Sequence, residues 1–387
     1  MDSKEIQNVW VLATFDTSDP LGSTEPYYIV QKIAKKWDTH IFAPNSGSID
    51  SAHEHQLPAT SLGAVVLLNF ILIPQFIWYC LRRPPDLVYV YKDIFTPVLI
   101  AKILTDATII YDLRSDPYDQ SKEFETKKAD RRIYHLMLYF GYRLHRFTLP
   151  RIDGVITLSE ELAERIQANY GVPRDRIGLI PLAADPQKFA PVDSNNERLQ
   201  IVYLGSLAEF RGLDDLVIAL ASLDPQQKSR VRLDIYGEAS DHFINELESL
   251  CPEGPPIEWH GYVEHELLAE SAAACDIAVS PLPALDSFKL SSPAKIYEYI
   301  ALGLPIVATN ITPHKRILNE NCAVFVPPSE PQAMTEAFAR LIDDDEYRSQ
   351  LGIEARQIAL ENTWEDRFEG LCDYVENWQT NPSEANS

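Results

Sequence analysis

The stretch SSPAKIYEYIALGLPIVATN, residues 291–310, decides how this chain is read. Ser291 and Ser292 are good helix caps, and Pro293 suits a first helical turn because its missing N–H would be unpaired there anyway. Lys295 and Glu298 are three apart and share a helix face. Gly303 fits a left-handed stop, Pro305 forbids continuation, and PIVATN then reads as a strand. A helix start offers free N–H groups and a positive dipole end to an anion. A carboxylate one turn further in can accept two hydrogen bonds from a ribose diol. Taken alone, the same residues also describe a capped helix with a surface Lys–Glu pair.

The pattern extends in both directions. NVWVLATF, THIFAPN, DLVYVYKD, TIIYDLRS and DGVITLS read as strands in the first half. LQIVYLG, VRLDIYG, IEWHG, DIAVSP and PIVATN follow in the second. Helical segments separate them, as in YYIVQKIAKKW, the run from Asp214, and His265 to Cys275. Short β-branched runs alternating with helices predict an α/β protein with parallel sheets. The proline-rich LIPLAADPQKFAPVDSNNER interrupts the rhythm. We therefore expect a first domain over 1–182, a linker over 183–197 and a second domain over 198–362. The remainder, 363–387, is a helix and tail expected to pack back on the first domain. Ligands of open parallel sheets bind beyond the carboxyl ends of the strands.

Two further loops follow strands in the second half. YLGSLAEFRGLDDL (203–216) has Gly205 for close backbone approach and Arg211 before Gly212, where a guanidinium can reach a diphosphate. WHGYVEHEL (259–267) has Gly261, then Tyr262 and Val263, whose backbone can read a base edge. No GxGxxG or Walker lysine motif is present, which disfavours dehydrogenase and P-loop readings.

The chain has 387 residues, 45% hydrophobic and 24% charged, with net charge −23. Such a surface repels nucleic acid. Against that trend, Lys122 to Arg151 carries eight bases and three acids, a local +5. Five scattered cysteines with no CxxC pair argue against a disulfide framework or cysteine zinc site and fit a reducing compartment. The start, MDSKEIQNVWVLATF, reads as a first strand rather than a signal peptide.

These motifs together resemble glycosyltransferase family 4. The specific one is P-x-K-x-x-E-Y-x-A-x-G-x-P across Pro293 to Pro305. The Arg211-Gly212 loop, IEWHGYV, DIAVSP, DGVITLSEELAERI and YGVPRDRIGLIPLAADPQKFAP support it. The resemblance implies a GT-B architecture, two Rossmann-like domains facing across a cleft. It implies retaining, metal-independent transfer of a sugar from a nucleotide-sugar donor, with no cofactor. It places ribose contact on Glu298, diphosphate binding on Arg211, and helix-start amides at Ser291, Ser292 and Ala294. Gly205, Ser206, Val263, Lys289 and Leu290 complete the expected donor site.

The chain also departs from the family pattern. Leu290 stands where the family often has a glutamate, and Ser206 where it often has arginine, with Lys289 a candidate to offset the missing cation. In the first half only Gly22 remains of a glycine-rich loop. Arg114 falls where a histidine is usual, so Arg114 and Asp116, with Asp112, are catalytic-site candidates. The aspartates 112, 116 and 119 also fit a solvated strand-to-helix loop. These departures keep two alternatives open: a nucleotide-sugar epimerase of the same fold, and a catalytically silent partner subunit.

Two segments suggest a membrane surface. LGAVVLLNFILIPQFIWYCLRR (62–83) is near spanning length, but Asn69, Pro74 and Gln75 interrupt it, which favours a buried or interfacial helix. DRRIYHLMLYFGYRLHRF (130–147) is basic and aromatic, as suits an anionic bilayer surface. The expected partners are therefore a nucleotide-sugar, a lipid-linked or polysaccharide acceptor, and the cytoplasmic face of a membrane.

Overall fold

The computed structural model describes residues 6–14, 24–44, 49, 51–57, 67–91, 94–116, 141–192 and 196–380. Two compact units divide the chain: 1–181 with 365–387, and 182–364. Each is built on one parallel sheet.

The first sheet has the order β3-β2-β1-β4-β5-β6-β7. Its strands are β1 (Asn8–Leu12), β2 (Asp38–Ala43), β3 (Ala52–Gln56), β4 (Leu87–Tyr91), β5 (Thr108–Asp112), β6 (Gly154–Thr157) and β7 (Ile177–Leu179). The chain starts in the middle, builds one edge, then crosses back, so the order reverses between β1 and β4. The second sheet repeats this plan as β10-β9-β8-β11-β12-β13. Its strands are β8 (Leu199–Leu204), β9 (Val231–Tyr236), β10 (Ile257–Gly261), β11 (Ile277–Ser280), β12 (Ile306–Thr309) and β13 (Ala323–Val326). Here the reversal lies between β8 and β11. LVYVY, GVIT, IAVS and IVAT are buried along their whole length. Helices cover both faces of a parallel sheet, so its central strands lose the alternation of a half-exposed strand.

Three strands go beyond those expected. AHEHQ (β3) is polar and lies at an edge, where apolar residues are not required. β7 and β13 have only three and four residues. Asn69, which interrupts an apolar run, has a structural role. Its Oδ1 accepts the N–H groups of Phe95 and Thr96 at 2.7 and 3.1 Å, at the start of the helix Thr96–Leu104.

The last helix, Trp364–Thr380, supplies Tyr374 to the first unit. Its hydroxyl donates to the carbonyls of Arg176 (2.8 Å) and Val155 (3.3 Å). Gly154 and Gly178 make room for it: a Cβ on either would stand 2.3 or 2.8 Å from Tyr374 atoms.

Candidate active site

The helix of the opening stretch runs Ala294–Ala301. Its capping differs from expectation. Pro293 is itself the N-cap residue and makes no side-chain cap, while the Ser291 hydroxyl donates to the Phe288 carbonyl at 2.8 Å. The first-turn amides therefore keep no side-chain acceptor. At the other end Gly303 adopts φ +66°, and the N–H of Leu304 returns to the Tyr299 carbonyl at 3.1 Å, a Schellman ending.

Tyr299 fixes this helix to the point where strand order reverses. Its hydroxyl oxygen accepts the Leu204 N–H at 2.8 Å and donates to the Val279 carbonyl at 3.3 Å. With Tyr299 turned inward between β8 and β11, Lys295 and Glu298 come to the carboxyl end of β8. Glu298 Oε1 meets His265 Nε2 at 3.1 Å. His265 is 4% exposed, packs edge-on to Phe189, and keeps a buried Nδ1 with no hydrogen-bond partner. The Glu298 carboxylate is thus oriented by a buried imidazole and keeps accepting capacity.

Lys295 is the residue whose surroundings the sequence did not disclose. Its Nζ lies 3.6 Å from the centroid of the buried Tyr203 ring. Burial pulls its pKa well below the usual lysine range, the Arg211 charge pulls the same way, and Glu298 opposes them. A Cβ on Gly205, which has φ +116°, would come within 3.4 Å of Lys295 Cε and Nζ. The positive φ is what calls for glycine at this strand end, and the lysine lies at van der Waals distance from where a Cβ would stand. Lys295, close enough to Arg211 for the two charges to interact, is a second cation at this end of β8. Lys289 is exposed and pairs with Asp286 at 2.7 Å.

Arg211 ends the short turn Glu209–Arg211, and its guanidinium lies 5.4 and 5.2 Å from the ring centroids of Phe210 and Phe288. Its Nε is buried without a hydrogen-bond partner. Among the described residues, neither Arg211 nor Lys295 forms an ion pair. Gly212, at φ +73°, starts the next helix pressed against the Pro281 carbonyl.

The remaining expected residues fall into place around these. Ser206 is exposed, and its carbonyl accepts the Tyr203 hydroxyl at 3.1 Å. Leu290, Ser291, Ser292 and Ala294 are half-buried in the loop before the helix and its first residue. Arg316 holds that loop by donating to the carbonyls of Ser291 (2.9 Å) and Lys289. Val263 packs against the core of this unit. Below the site, His314 donates from Nδ1 to the Thr309 carbonyl at 2.8 Å, and its Nε2 meets Ser280 Oγ at 2.9 Å. Burial and the Lys295 charge bring its pKa to about 4, so it is a neutral support.

In the first unit, Arg114 pairs with Asp112 and donates to the Ile180 carbonyl at 2.6 Å. Asp112 also accepts the Tyr89 hydroxyl. Asp116 is 2% exposed, and its oxygens accept from Tyr170 (2.6 Å), Asn169 (2.7 Å) and Arg165 (3.3 Å). Asp116 thus ties the end of β5 to the helix Glu160–Tyr170, and the solvated-loop reading does not hold for it or for Asp112. Gly22 and Asp119 lie outside the described residues.

Two parallel Rossmann-like sheets, one in each unit, are the architecture of the GT-B class of α/β proteins. Comparison with known proteins gives the family. Residues 27–188 match Glycosyltransferase Family 4, and residues 198–344 match Glycosyl transferases group 1. The chain belongs to these glycosyltransferase families.

A D-inositol 3-phosphate glycosyltransferase of Xylanimonas cellulosilytica is 29% identical over 242 residues, 57% of this chain and 56% of that protein. The chain thus spans about half the length of the curated relatives it matches. Among solved structures, sucrose-phosphate synthase of Thermosynechococcus elongatus superposes with TM-score 0.71 at 16% identity, over 96% of this chain and 98% of that one. HepE of Anabaena, solved with UDP-glucose, gives 0.68 at 14% identity, over 96% and 99%.

Proposed function

We propose that this protein transfers a sugar from a nucleotide-sugar to a hydroxyl of a lipid-linked or polysaccharide acceptor, with retention of anomeric configuration. The observation that carries the reading is the pair of cations, Arg211 and Lys295, at the carboxyl end of β8, neither in an ion pair among the described residues. A diphosphate supplies the missing charge. The uncapped amides of the helix Ala294–Ala301 point the same way.

In this reading Glu298, held by His265, accepts hydrogen bonds from the ribose hydroxyls, and the backbone around Val263 borders the base. Charge builds on the diphosphate as the glycosidic bond breaks. Arg211 and Lys295 stabilise that developing charge, which lowers the barrier without a metal. Leu290 in place of an acid leaves sugar recognition to other groups. HepE, a neighbour of the same fold, was solved with UDP-glucose, which supports nucleotide-sugar chemistry. Arg114, a fixed cation at the end of β5, is the acceptor-side candidate.

Thermal unfolding with UDP, GDP and ADP tests the donor site. A nucleotide at 100 times its dissociation constant adds about 2.7 kcal/mol, read as a rise in Tm. We expect one nucleotide to give the rise and Glu298→Ala to reduce it. Equal shifts in both proteins would remove Glu298 from the ribose role.

The membrane part of the proposal rests on the segment 67–83. No helix among the described residues is long and apolar enough to cross a membrane. Phe70, Ile71, Trp78 and Leu81 nevertheless expose 67, 58, 54 and 66% of their surface, beside exposed Arg82 and Arg83. Leu144 and Phe147 are exposed beside the exposed Arg143 and Arg146. Apolar side chains flanked by arginines suit an anionic bilayer. Trp78→Ser with Leu81→Ser is expected to reduce co-sedimentation with phosphatidylglycerol vesicles roughly tenfold or more, given the apolar area withheld. Unchanged co-sedimentation would take the membrane out of the proposal.

A further inference from the structure

The polar edge strand β3 carries HEH where a strand needs no histidine. In the parallel register His40 of β2 pairs with His53 of β3, and Phe42 with His55. Side chains two apart along a strand share a face. Asp38 and His40 therefore lie on the same face as His53 and His55. Within this group Asp38, His40 and His53 bring one ligand atom each to within 4.8 Å of one another. His53 Nε2 and Asp38 Oδ1 are 3.2 Å apart. Two ligands of one tetrahedral zinc, each about 2.0–2.1 Å from it, are separated by roughly 3.3 Å.

The surroundings are those of a supported ligand. His40 Nδ1 and His55 Nε2 share a hydrogen bond at 3.0 Å, which fixes the His40 ring and leaves Nε2 as its free nitrogen. Metal-bound imidazoles are commonly held this way by a partner on the second nitrogen. His55 is held in turn by stacking on Phe42 at 4.4 Å between centroids, with Tyr79 edge-on at 5.6 Å. A second grouping, Asp234, Glu258 and His260, is different: Arg232 donates to both carboxylates, so their charge is already used.

We propose that Asp38, His40 and His53 form a binding site for a zinc-like divalent ion, which fastens the edge strand β3 to β2 and leaves its fourth position to water. Two imidazoles and a carboxylate suit zinc and its borderline neighbours rather than magnesium or calcium. The site is in the first unit, and the transfer chemistry proposed for Arg211 and Lys295 does not depend on it.

The test uses the full chain stripped of metal, with Zn2+ and Co2+ as probes. Titration calorimetry should show one zinc site, and Co2+ should give the visible absorption of a tetrahedral complex. Zinc in excess should raise Tm by several degrees. His53→Ala and Asp38→Asn should each weaken binding at least tenfold. Both side chains are about 60% exposed, so the variants should keep the wild-type circular dichroism spectrum. His260→Ala should leave zinc affinity unchanged. Absence of zinc binding at 0.1 mM (about the weakest level of interest for a specific site), or binding that survives both substitutions, would overturn the proposal.

Discussion

Replacing Lys295 by methionine is expected to raise the thermal stability of the free protein and to abolish most of its nucleotide affinity. The reason is that Lys295 is placed at a cost. Its pKa lies well below the ordinary lysine value because burial and Arg211 both disfavour the ammonium. The unfolded chain therefore binds this proton more tightly than the folded one. The cost is full below the depressed pKa and is relieved as pH rises from there toward lysine's usual value of about 10.4. Methionine has similar reach, tolerates the Tyr203 ring and carries no charge. Its variant should be more stable on the acid side of that window and should lose this part of the rise in stability with pH.

Nucleotide binding should move the opposite way. A charged hydrogen bond to phosphate contributes about 1.5–3 kcal/mol, so affinity should fall roughly 10- to 100-fold. A diphosphate beside Nζ favours the ammonium, so wild-type binding takes up a proton within the same window and weakens as pH rises through it. Calorimetry in buffers of different ionisation enthalpy measures that proton. Wild-type affinity that is flat with pH, together with unchanged affinity in Lys295→Met, would refute the role of this lysine.

The second large effect is expected at Gly212. A Cβ there would lie 2.0 Å from the Pro281 carbonyl oxygen, and the residue holds φ +73°. Alanine pays about 1–2 kcal/mol for the left-handed conformation alone. The clash is with backbone and cannot be relieved by a rotamer change, so either the Arg211 loop or the end of β11 must move. We expect Gly212→Ala to destabilise by about 3 kcal/mol or more, among the larger single-residue effects. For a domain of this size that is a fall in Tm of roughly 6–12 °C. Surviving folded protein should also bind nucleotide poorly, because Arg211 is displaced with the loop. Gly261→Ala, where a Cβ meets nothing within 4 Å, should cost only the backbone term despite φ +67°. Equal losses at the two positions would show that the Pro281 contact is not what constrains Gly212.

The sequence by itself determined much of the architecture. Apolar runs such as LVYVY, IAVS and IVAT are unambiguous because a strand covered on both faces must be apolar throughout. Gly303 stops its helix as read, because a left-handed C′ position is a local backbone requirement. The motif around Lys295 and Glu298 was legible for the same reason: spacing on a helix is a local property.

What only the tertiary structure decided is which groups face which. Ser291 reads as a cap, but its hydroxyl goes to Phe288. Asp116 reads as a site residue, but three donors from one distant helix surround it. Lys289 reads as the spare cation, but it is exposed and pairs with Asp286, while Lys295 lies over the Tyr203 ring and beside Gly205, ninety residues away in sequence. The strand HEH is invisible to an apolar-pattern reading, because an edge strand is held by backbone hydrogen bonds and need not bury its side chains. Its histidines meet His40 only through the register of β2 with β3. Local periodicity is written in neighbouring residues, whereas partners brought together across a sheet are fixed only when the whole sheet has formed.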